Sequence, residues 1–392
     1  MPPLKKLAII TTHPIQYNAP WFKLLNERGT INVKVFYTWG QLEHQQKLDP
    51  DFGKNVDWDI PLLDGYPYQF VENVSAKPGS HHFNGIDNPG LINEIEFWYP
   101  DAILILGWCF KSHLKVLRHF KGKKPVIFRG DSTLIDEVPA FSIKKMARKT
   151  FLSWIYSHIN IALYVGTANK AYYNKYGLAE RQLIFAPHAI DNERFMKPVS
   201  KIDRMALGIP NAAAVFIFVG KMERKKNPFL LLNSFIELDD AIAHLLFVGN
   251  GVLETELKTT VNNLPALLSE RIHFLPFQNQ LQMPSIYHVG DVLVLPSKGP
   301  GETWGLAVNE AMACGKAVLV SDKCGCAPDL IDEGVNGYTF KSTDKEGLIA
   351  KMKSLLSHRS KLQEMGIQSL NKISQWNFGE ICSGIERAMA KL

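Results

Sequence analysis

The sequence contains no uninterrupted apolar run that approaches the roughly 18 residues of a membrane-spanning helix. Cysteine is scarce, with 5 in 392 residues and no C-x-x-C pair. Cys324 and Cys326 form a C-G-C, which alone is too little for a metal site, so we expect reduced thiols. The first residues, MPPLKKLAIITTHP, offer too short an apolar run for a secretory signal. These absences argue against membrane-spanning and disulfide-rich secreted classes, and we expect a cytoplasmic protein.

Length and composition indicate a globular protein of more than one domain. A chain of 392 residues exceeds one ordinary hydrophobic core, so two domains are expected. A hydrophobic share of 46% with 21% charged residues excludes a disordered or fibrous chain.

Basic residues are concentrated in the first half. Residues 1–200 hold 24 basic and 18 acidic residues, whereas residues 201–392 hold 20 of each. Residues 111–149 alone hold eleven basic and three acidic residues. This distribution indicates an acidic partner surface for the first half. The cluster lacks the interleaved stacking aromatics and motifs of nucleic-acid binding, so no nucleic-acid partner is expected.

Short apolar runs alternate with helical patterns along most of the chain, which is typical of βαβ units in a doubly wound sheet. The predicted strands are Leu7–Thr11, Val33–Thr38, Ala102–Leu106, Pro125–Phe128, Ile161–Val165, Ala214–Val219, Leu245–Gly249, Ile272–Leu275, Val292–Pro296 and Ala317–Ser321.

A break in this pattern divides the alternating segments into two halves. We therefore predict an N-terminal domain over residues 1–197 and a C-terminal domain over residues 198–375. Residues 376–392 have a helical pattern and are expected to pack back on the first domain. Open sheets of this kind bind ligands at the carboxyl ends of their strands.

The stretch ETWGLAVNE carries two carboxylates, Glu302 and Glu310, on either side of a predicted helix start. Free amides of Gly305 and Leu306 at that start favour an anion. The carboxylates are then left to bind hydroxyl groups. This combination predicts a nucleotide-sugar site. The alternative is that both carboxylates only stabilise the helix dipole.

Two lysines follow the predicted strand 214–219. Lys221 comes just after the strand end at Gly220, and Lys226 lies near the next helix. Both are placed to neutralise one diphosphate, as departure of a nucleoside diphosphate requires. Arg224 and Lys225 compete for this assignment, and a solvated basic turn is the alternative. No G-x-x-x-x-G-K-[ST] motif is present, so this segment is not a P-loop.

Four segments resemble the donor domain of retaining glycosyltransferases of the GT-B fold, specifically glycosyltransferase family 4: FVGKMERKKNP, LLFVGNG, IHFLPFQNQ and ETWGLAVNEAMACGKAVLVSD. Glu302 and Glu310 match the E-x7-E motif of that family. The resemblance is clear over residues 185–380 and covers the first half mostly in outline. It implies an α/β protein of the GT-B fold, with two Rossmann-like doubly wound domains facing across a cleft.

The resemblance also implies roles for individual residues. Lys221 and Lys226 would stabilise the leaving diphosphate, Glu302 would bind the transferred sugar, and Glu310 would bind the ribose. The remaining donor-site candidates are Gly220, Phe277 along the base, Thr303, Trp304, Gly305 and Leu306. A packing role is the alternative for Phe277. No cofactor and no metal are expected.

The first half departs from the family pattern, because PVIFRGDST has Arg129 and Asp131 where relatives carry a histidine. Asp131 is a catalytic candidate that contacts a sugar hydroxyl or deprotonates the acceptor, and the alternative is an N-cap of the next helix. Arg129 is an acceptor-side candidate. Three more follow the first strand, His13, Gln16 and Tyr17.

Residues 142–159 alternate basic with apolar side chains and contain no acidic residue. A helix built from them would rest on an anionic membrane. The alternative is an ordinary helix with one core face and one solvated face. In the first case, the protein would be peripheral on the inner face of the membrane.

The resemblance and the residues together predict a retaining, metal-independent transferase of sugars. The donor would be a UDP- or GDP-linked sugar, and the acceptor a saccharide or lipid-linked molecule of bacterial surface polysaccharide or lipopolysaccharide assembly. A nucleotide-sugar epimerase of the same fold and a non-catalytic sugar-nucleotide-binding subunit are the alternatives.

Overall fold

A computed structural model describes residues 3–40, 47–49, 54–56, 59–137, 142–197 and 200–392. The chain forms two compact units. The first unit comprises Met1–Gln45, Pro61–His188 and Phe378–Leu392, and the second comprises Gln46–Ile60 and Ala189–Asn377.

Apart from four strands in succession, β2 to β5, the elements up to residue 197 alternate between strands and helices. The strands are β1 (Lys6–Thr11), β2 (Asn32–Tyr37), β3 (Lys47–Asp49), β4 (Lys54–Val56), β5 (Tyr68–Phe70), β6 (Ala102–Leu106), β7 (Val126–Arg129), β8 (Ile161–Tyr164) and β9 (Leu183–Phe185). The helices are α1 (Ala19–Arg28), α2 (Leu91–Trp98), α3 (Lys111–Phe120), α4 (Ile143–Tyr156), α5 (Thr167–Lys175) and α6 (Asn192–Met196).

The rest of the chain repeats the alternation and ends in three helices. Its strands are β10 (Ala214–Val219), β11 (Ala243–Val248), β12 (Ile272–Leu275), β13 (Val292–Leu295), β14 (Ala317–Ser321) and β15 (Gly337–Phe340). Its helices are α7 (Pro228–Leu238), α8 (Glu254–Asn262), α9 (Ala266–Ser269), α10 (Met283–Val289), α11 (Leu306–Ala313), α12 (Ala327–Leu330), α13 (Lys345–Ser357), α14 (Ser360–Ile373) and α15 (Phe378–Lys391).

The first unit is built on a seven-stranded parallel sheet in the order β5-β2-β1-β6-β7-β8-β9. The interior strand β1 pairs with β2 on one side and β6 on the other. Residues Leu7–Ile10 are fully buried, as expected for a parallel strand with helices on both faces. The strand order reverses between β1 and β6, and ligands of such sheets bind at this switch point.

The second unit has a six-stranded parallel sheet in the order β12-β11-β10-β13-β14-β15. Its chain runs outward from β10 to β12 and then restarts at β13 beside β10. The switch point therefore lies at the carboxyl ends of β10 and β13. All residues of β10 and β13 are buried, which explains why their apolar runs are continuous in the sequence.

The ten predicted strands are all confirmed, with ends that differ by no more than two residues. Short strands at or near the sheet edges, β5, β9 and β15, were not predicted. The two units divide between His188 and Ala189, before the expected join at residues 197 and 198. Residues 198–199 lie outside the described ranges. Residues 189–196 go with the second unit because Phe195 is buried there and Asn192 donates to the carbonyl of Ile373.

Helix α15 lies in the first unit, where it packs against α1. Arg28 of α1 donates to Glu386 of α15 at 2.9 Å. Within the described ranges, no helix combines the length and the apolar character that crossing a bilayer requires.

Candidate functional site

The loop after β10 brings a lysine to the switch point of the second unit. β10 ends at Val219, and Gly220 follows with a φ of 147°, a conformation that glycine adopts without strain. Lys226 closes a short 3-10 turn just before α7 begins at Pro228. Lys221, at the beginning of this loop, is half-buried. The local sequence thus places two cations at the end of one strand.

Glu302 lies in the loop after the neighbouring strand β13, and its carboxylate contacts Lys226. Lys226 Nζ is 2.6 Å from Glu302 Oε2, and the side chains are 17% and 8% exposed. Ser297 Oγ donates to the same oxygen at 2.9 Å. Ser297 is fully buried just beyond the end of β13. One carboxylate oxygen therefore meets both a cation and a fixed hydroxyl.

The loop that carries Glu302 is held by the backbone of a second loop. The Glu302 carbonyl accepts from Gly325 N at 3.1 Å, and the Trp304 carbonyl accepts from Cys326 N at 3.0 Å. A Cβ at Gly325 would lie 1.7 Å from the Thr303 carbonyl oxygen, so only glycine permits this approach. These contacts fix the position from which the Glu302 side chain points.

The Trp304 side chain packs in the interior of the second unit. Its indole is buried, donates to Asn309 Oδ1 at 2.8 Å and packs on the Trp376 ring at 5.2 Å between centroids. The next residue, Gly305, has a φ of 100° and is the N-cap of α11. The amides of the helix start then point out of its first turn, because no earlier carbonyl can accept them.

Glu310 is the fifth residue of α11, one turn beyond the helix start. Its carboxylate is buried, and Tyr287 OH of α10 donates to Oε2 at 2.7 Å. The helix dipole acts mainly on the first turn, so it does not explain this carboxylate. Two of the motif residues, Glu302 and Glu310, are thus each oriented by a hydroxyl from another element.

Asn250 links the loops that leave three neighbouring strands. Its side-chain oxygen accepts from Phe277 N at 2.8 Å, and its carbonyl accepts from Met222 N at 2.9 Å. The loops after β10, β11 and β12 are tied together by these bonds. Phe277 is half-buried beside them. The candidate donor residues therefore lie along one edge of the second sheet.

The switch point of the first unit carries two histidines in different environments. His13, after β1, accepts or donates a hydrogen bond with Thr12 at 3.0 Å and meets the Trp39 ring edge-on. His113, in α3, is fully buried, with Nδ1 2.9 Å from the Gly107 carbonyl oxygen and Nε2 3.0 Å from Thr38 Oγ1. Burial lowers the pKa of His113 to about 4. Gln16 and Tyr17 are half-buried before α1.

Asp131 follows β7 at the same edge of this sheet, beside His188. His188 Nε2 is 3.7 Å from Asp131 Oδ2. Burial lowers the pKa of His188, and Asp131 acts in the opposite direction. The alternative role of Asp131 as an N-cap is wrong, because the next helix among the described residues, α4, begins twelve residues further on and is capped by the Ser142 side chain.

Arg129 is buried at the end of β7 and ties this strand to the segment after β9. It donates to the Pro187 carbonyl oxygen at 2.7 Å. Burial lowers the pKa of its guanidinium to about 10. This geometry indicates that Arg129 has a packing role, and we do not propose it as an acceptor contact. Asp191, in the following segment, caps α6 by accepting from Arg194 N.

Three residues of these arrangements were missed from the sequence. Ser297 had a local signal, since it is a polar residue directly after a buried strand. Tyr287 and the pairing of His188 with Asp131 had none, because only the tertiary fold creates these contacts. Across the described ranges, no group of three or more His, Cys, Asp or Glu side chains is arranged to hold a metal ion.

The two parallel sheets, each with a central switch point, define the GT-B fold. The structure is similar to that of HepE from Anabaena in complex with UDP and glucose, with a TM-score of 0.71 at 17% identity, over 99% of this chain and 100% of that chain.

The sequence similarity to a known family lies in the second unit. Residues 199–371 match the family model of glycosyl transferases group 1. The sulfoquinovosyl transferase of Arabidopsis thaliana is 32% identical over 181 residues, which are 45% of this chain and 32% of that protein. The D-inositol 3-phosphate glycosyltransferase of Geodermatophilus obscurus is 29% identical over 199 residues, 48% of this chain and 43% of that protein. The chain thus spans less than half the length of these curated relatives.

Proposed function

We propose that this protein is a glycosyltransferase that moves a sugar from a nucleoside-diphosphate sugar to an acceptor. The observation that carries the proposal is the contact of Lys226 with Glu302 at the switch point of the second sheet. It joins a cation suited to phosphate with a carboxylate suited to hydroxyl groups. The family match over residues 199–371 supports the same reaction class.

The diphosphate would be bound by charge and by backbone dipoles. Lys226, together with Lys221, would stabilise the negative charge that develops on the leaving diphosphate. The amides at the start of α11 would add donors near Gly305. These groups supply the electrostatic stabilisation that the departing phosphate needs, and we therefore propose a metal-independent reaction.

The two carboxylates would bind different parts of the donor. Glu302, next to the lysine, would accept from hydroxyls of the transferred sugar, and Glu310 would accept from the ribose hydroxyls. Phe277, after β12, would lie along the base. UDP is the first nucleotide to test, because HepE, of similar fold, has been seen in complex with UDP.

The reaction would proceed with retention of the anomeric configuration. The acceptor oxygen would form its bond to the anomeric carbon on the face from which the diphosphate leaves, as the bond from that carbon to the phosphate oxygen breaks. The acceptor proton would pass to the leaving phosphate oxygen. On the side of the first unit, Asp131 would orient or help to deprotonate the acceptor hydroxyl, with His188 as its neighbour. His13, Gln16 and Tyr17 would contribute acceptor contacts.

The acceptor class would be a saccharide or a lipid-linked sugar, in the assembly of bacterial surface polysaccharide or lipopolysaccharide. Such a reaction would take place in the cytoplasm, where nucleotide-sugars are the donors.

A nucleotide-release assay on the best UDP or GDP binder from a thermal-shift screen tests the proposal. We expect release of the nucleoside diphosphate at a rate that EDTA does not change. We also expect an acceptor product whose anomeric configuration, determined by NMR, is the same as that of the donor. Conversion of the donor to its epimer without acceptor would indicate an epimerase instead. Nucleotide binding without any release from the donor panel would indicate a non-catalytic subunit.

A further inference from the structure

Helix α4 has an exposed first part, whose contacts with the rest of the described structure include an ion pair of Arg148 with Glu137 at 3.8 Å and a ring contact of Phe151 with Trp108. Every residue from Ile143 to Phe151 is exposed. The buried side chains of α4 lie near its end, at Leu152, Ile155 and Tyr156. The first two and a half turns therefore project beyond the region where the helix joins the core.

The exposed part is amphipathic, and its apolar face is on the side of the helix opposite to the buried face. Ile143 is 77% exposed and Met146 is 56% exposed, and Trp154 continues the same helical face. At 3.6 residues per turn, this face points away from the buried face of the helix. The basic side chains lie on the other side of the exposed turns, at Lys144, Lys145, Arg148 and Lys149. The core face of the alternative from the sequence, an ordinary helix with one core face and one solvated face, is present at the end of α4, whereas these first turns have no buried side.

An aromatic cluster connects α4 to the carboxyl edge of the first sheet. The rings of Phe151 and Trp154 are stacked 5.8 Å apart, and Trp108 meets Phe151 edge-on at 5.9 Å. Trp108 lies just after β6, and His13 lies just after the adjacent strand β1. The exposed apolar face therefore stands at the same sheet edge as the acceptor-side candidates.

We propose that this face of α4 docks on an anionic bilayer and that the acceptor is anchored in that bilayer by lipid. An apolar face that carries tryptophan, with lysine and arginine on the opposite face and no acidic residue within residues 142–159, is the pattern of helices that lie in a membrane interface. The four cations favour anionic over neutral headgroups.

The membrane contact stands on the surface of α4 alone, whereas the lipid-anchored acceptor rests on the proposed transferase function. In that function, docking holds the first unit with its acceptor edge near the bilayer surface. An acceptor headgroup can then reach this edge while its lipid chains stay in the membrane.

Co-sedimentation of the full chain with vesicles tests the docking. Two vesicle types are used, phosphatidylcholine alone and phosphatidylcholine with phosphatidylglycerol. We expect binding only to the anionic vesicles, with loss at high salt. The pair Lys144→Gln with Lys149→Gln should weaken binding about 30-fold, given the usual contribution of a basic residue near such a surface. The pair Ile143→Ser with Met146→Ser should weaken it at least tenfold.

Matched substitutions on the second unit serve as controls. Leu267→Ser with Val252→Ser removes two exposed apolar side chains, and Lys353→Gln with Lys361→Gln removes two exposed cations. Neither pair should change vesicle binding. Equal binding of the α4 variants and the controls, or no binding of the unaltered protein, would overturn the proposal. The UDP-induced thermal shift should be the same in all variants, so failure of docking is distinguished from failure of the donor site.

Discussion

Lys226 Nζ lies 2.6 Å from Glu302 Oε2, and the two side chains come from loops that leave adjacent parallel strands. Sheltering two charges from water costs free energy, which their attraction offsets only when the geometry is good. In the proposed reaction, a diphosphate replaces Glu302 as the partner of Lys226. The carboxylate then turns to the sugar hydroxyls, so binding of phosphate and of sugar would be coupled through this pair.

Ser297→Ala tests whether Glu302 must be held in place for turnover. Ser297 Oγ donates to Glu302 Oε2 at 2.9 Å, so it would orient the carboxylate once Lys226 binds phosphate. A hydrogen bond to a charged group contributes about 1.5–3 kcal/mol, so we expect kcat to fall by about tenfold or more. UDP affinity, measured by calorimetry, should stay within about twofold of the unaltered protein.

Ser234→Ala is the control for this substitution. Ser234 is also fully buried in the second unit, and its hydroxyl has no hydrogen-bond partner among the described residues. Its removal should leave kcat unchanged. A kcat for Ser297→Ala equal to that of Ser234→Ala would contradict a positioning role for Ser297.

Tyr287→Phe tests the proposed ribose contact of Glu310. Without the Tyr287 hydroxyl, the carboxylate loses a hydrogen bond of 2.7 Å that fixes its orientation. We expect UDP to bind about tenfold more weakly, as the loss of one bond to a charged group would produce. The loss should be smaller for 2′-deoxy-UDP, which lacks one of the hydroxyls in question. Tyr338→Phe, in β15, should leave both affinities unchanged, and equal losses for both nucleotides would argue against the ribose assignment.

Gly305→Ala and Gly301→Ala separate backbone strain from crowding in the loop that carries Glu302. Both glycines have positive φ, 100° and 90°, so either alanine costs about 1–2 kcal/mol in strain. A Cβ at Gly305 would also lie 2.9 Å from Leu295 Cδ2, whereas at Gly301 no atom of the described residues beyond the two chain neighbours lies within 4 Å. We expect Gly305→Ala to lower the free energy of unfolding by about 1–3 kcal/mol more than Gly301→Ala in denaturant titrations. Equal losses would show that Leu295 moves aside freely.

His113 should make the first unit less stable as the pH falls. The unfolded chain binds a proton at this residue below about pH 6.5, but burial lowers the pKa in the folded state to about 4. The contribution of His113 to the free energy of unfolding is therefore fully present above about pH 6.5. It is lost progressively down to about pH 4, by about 3 kcal/mol in total.

The variant His113→Asn removes this titration and should flatten the fall in stability between pH 6.5 and 4.5. His188 and His273, whose pKa values burial also lowers, contribute equally to both proteins and cancel in the comparison. His81→Asn, at an exposed position, should retain the slope of the unaltered protein. An unchanged slope in His113→Asn would contradict the pKa that burial predicts.

The central strands of both sheets could be predicted from the sequence because helices cover them on both faces. Strand β10, for example, is buried at all six positions and therefore reads as a continuous apolar run. Strands β5 and β9 are three residues long and only half-buried or exposed, so any apolar run within them is too short to predict a strand. Their pairing with longer neighbours defines them as strands.

Membership of the site was predictable where a residue follows a strand end, as Lys226 and Glu302 do. The residues that orient the candidate site residues were harder to predict from the sequence. Tyr287 reaches Glu310 from a different helix, and His188 reaches Asp131 from a segment far along the chain. Contacts of this kind depend on how the elements pack, and no local pattern reports them. The roles of these residues in catalysis remain predictions.

The most direct test of the account is the rate of diphosphate release from the preferred nucleotide-sugar in the presence of acceptor, measured for single-site variants of the proposed donor site. Lys226→Ala and Glu302→Ala should each lower kcat by about 100-fold or more, as removal of a group that stabilises transition-state charge does. Lys225→Ala, which removes the adjacent and more exposed lysine, should change it less than about threefold. Near-normal release from Lys226→Ala or Glu302→Ala, in protein that remains folded, would contradict the central claim.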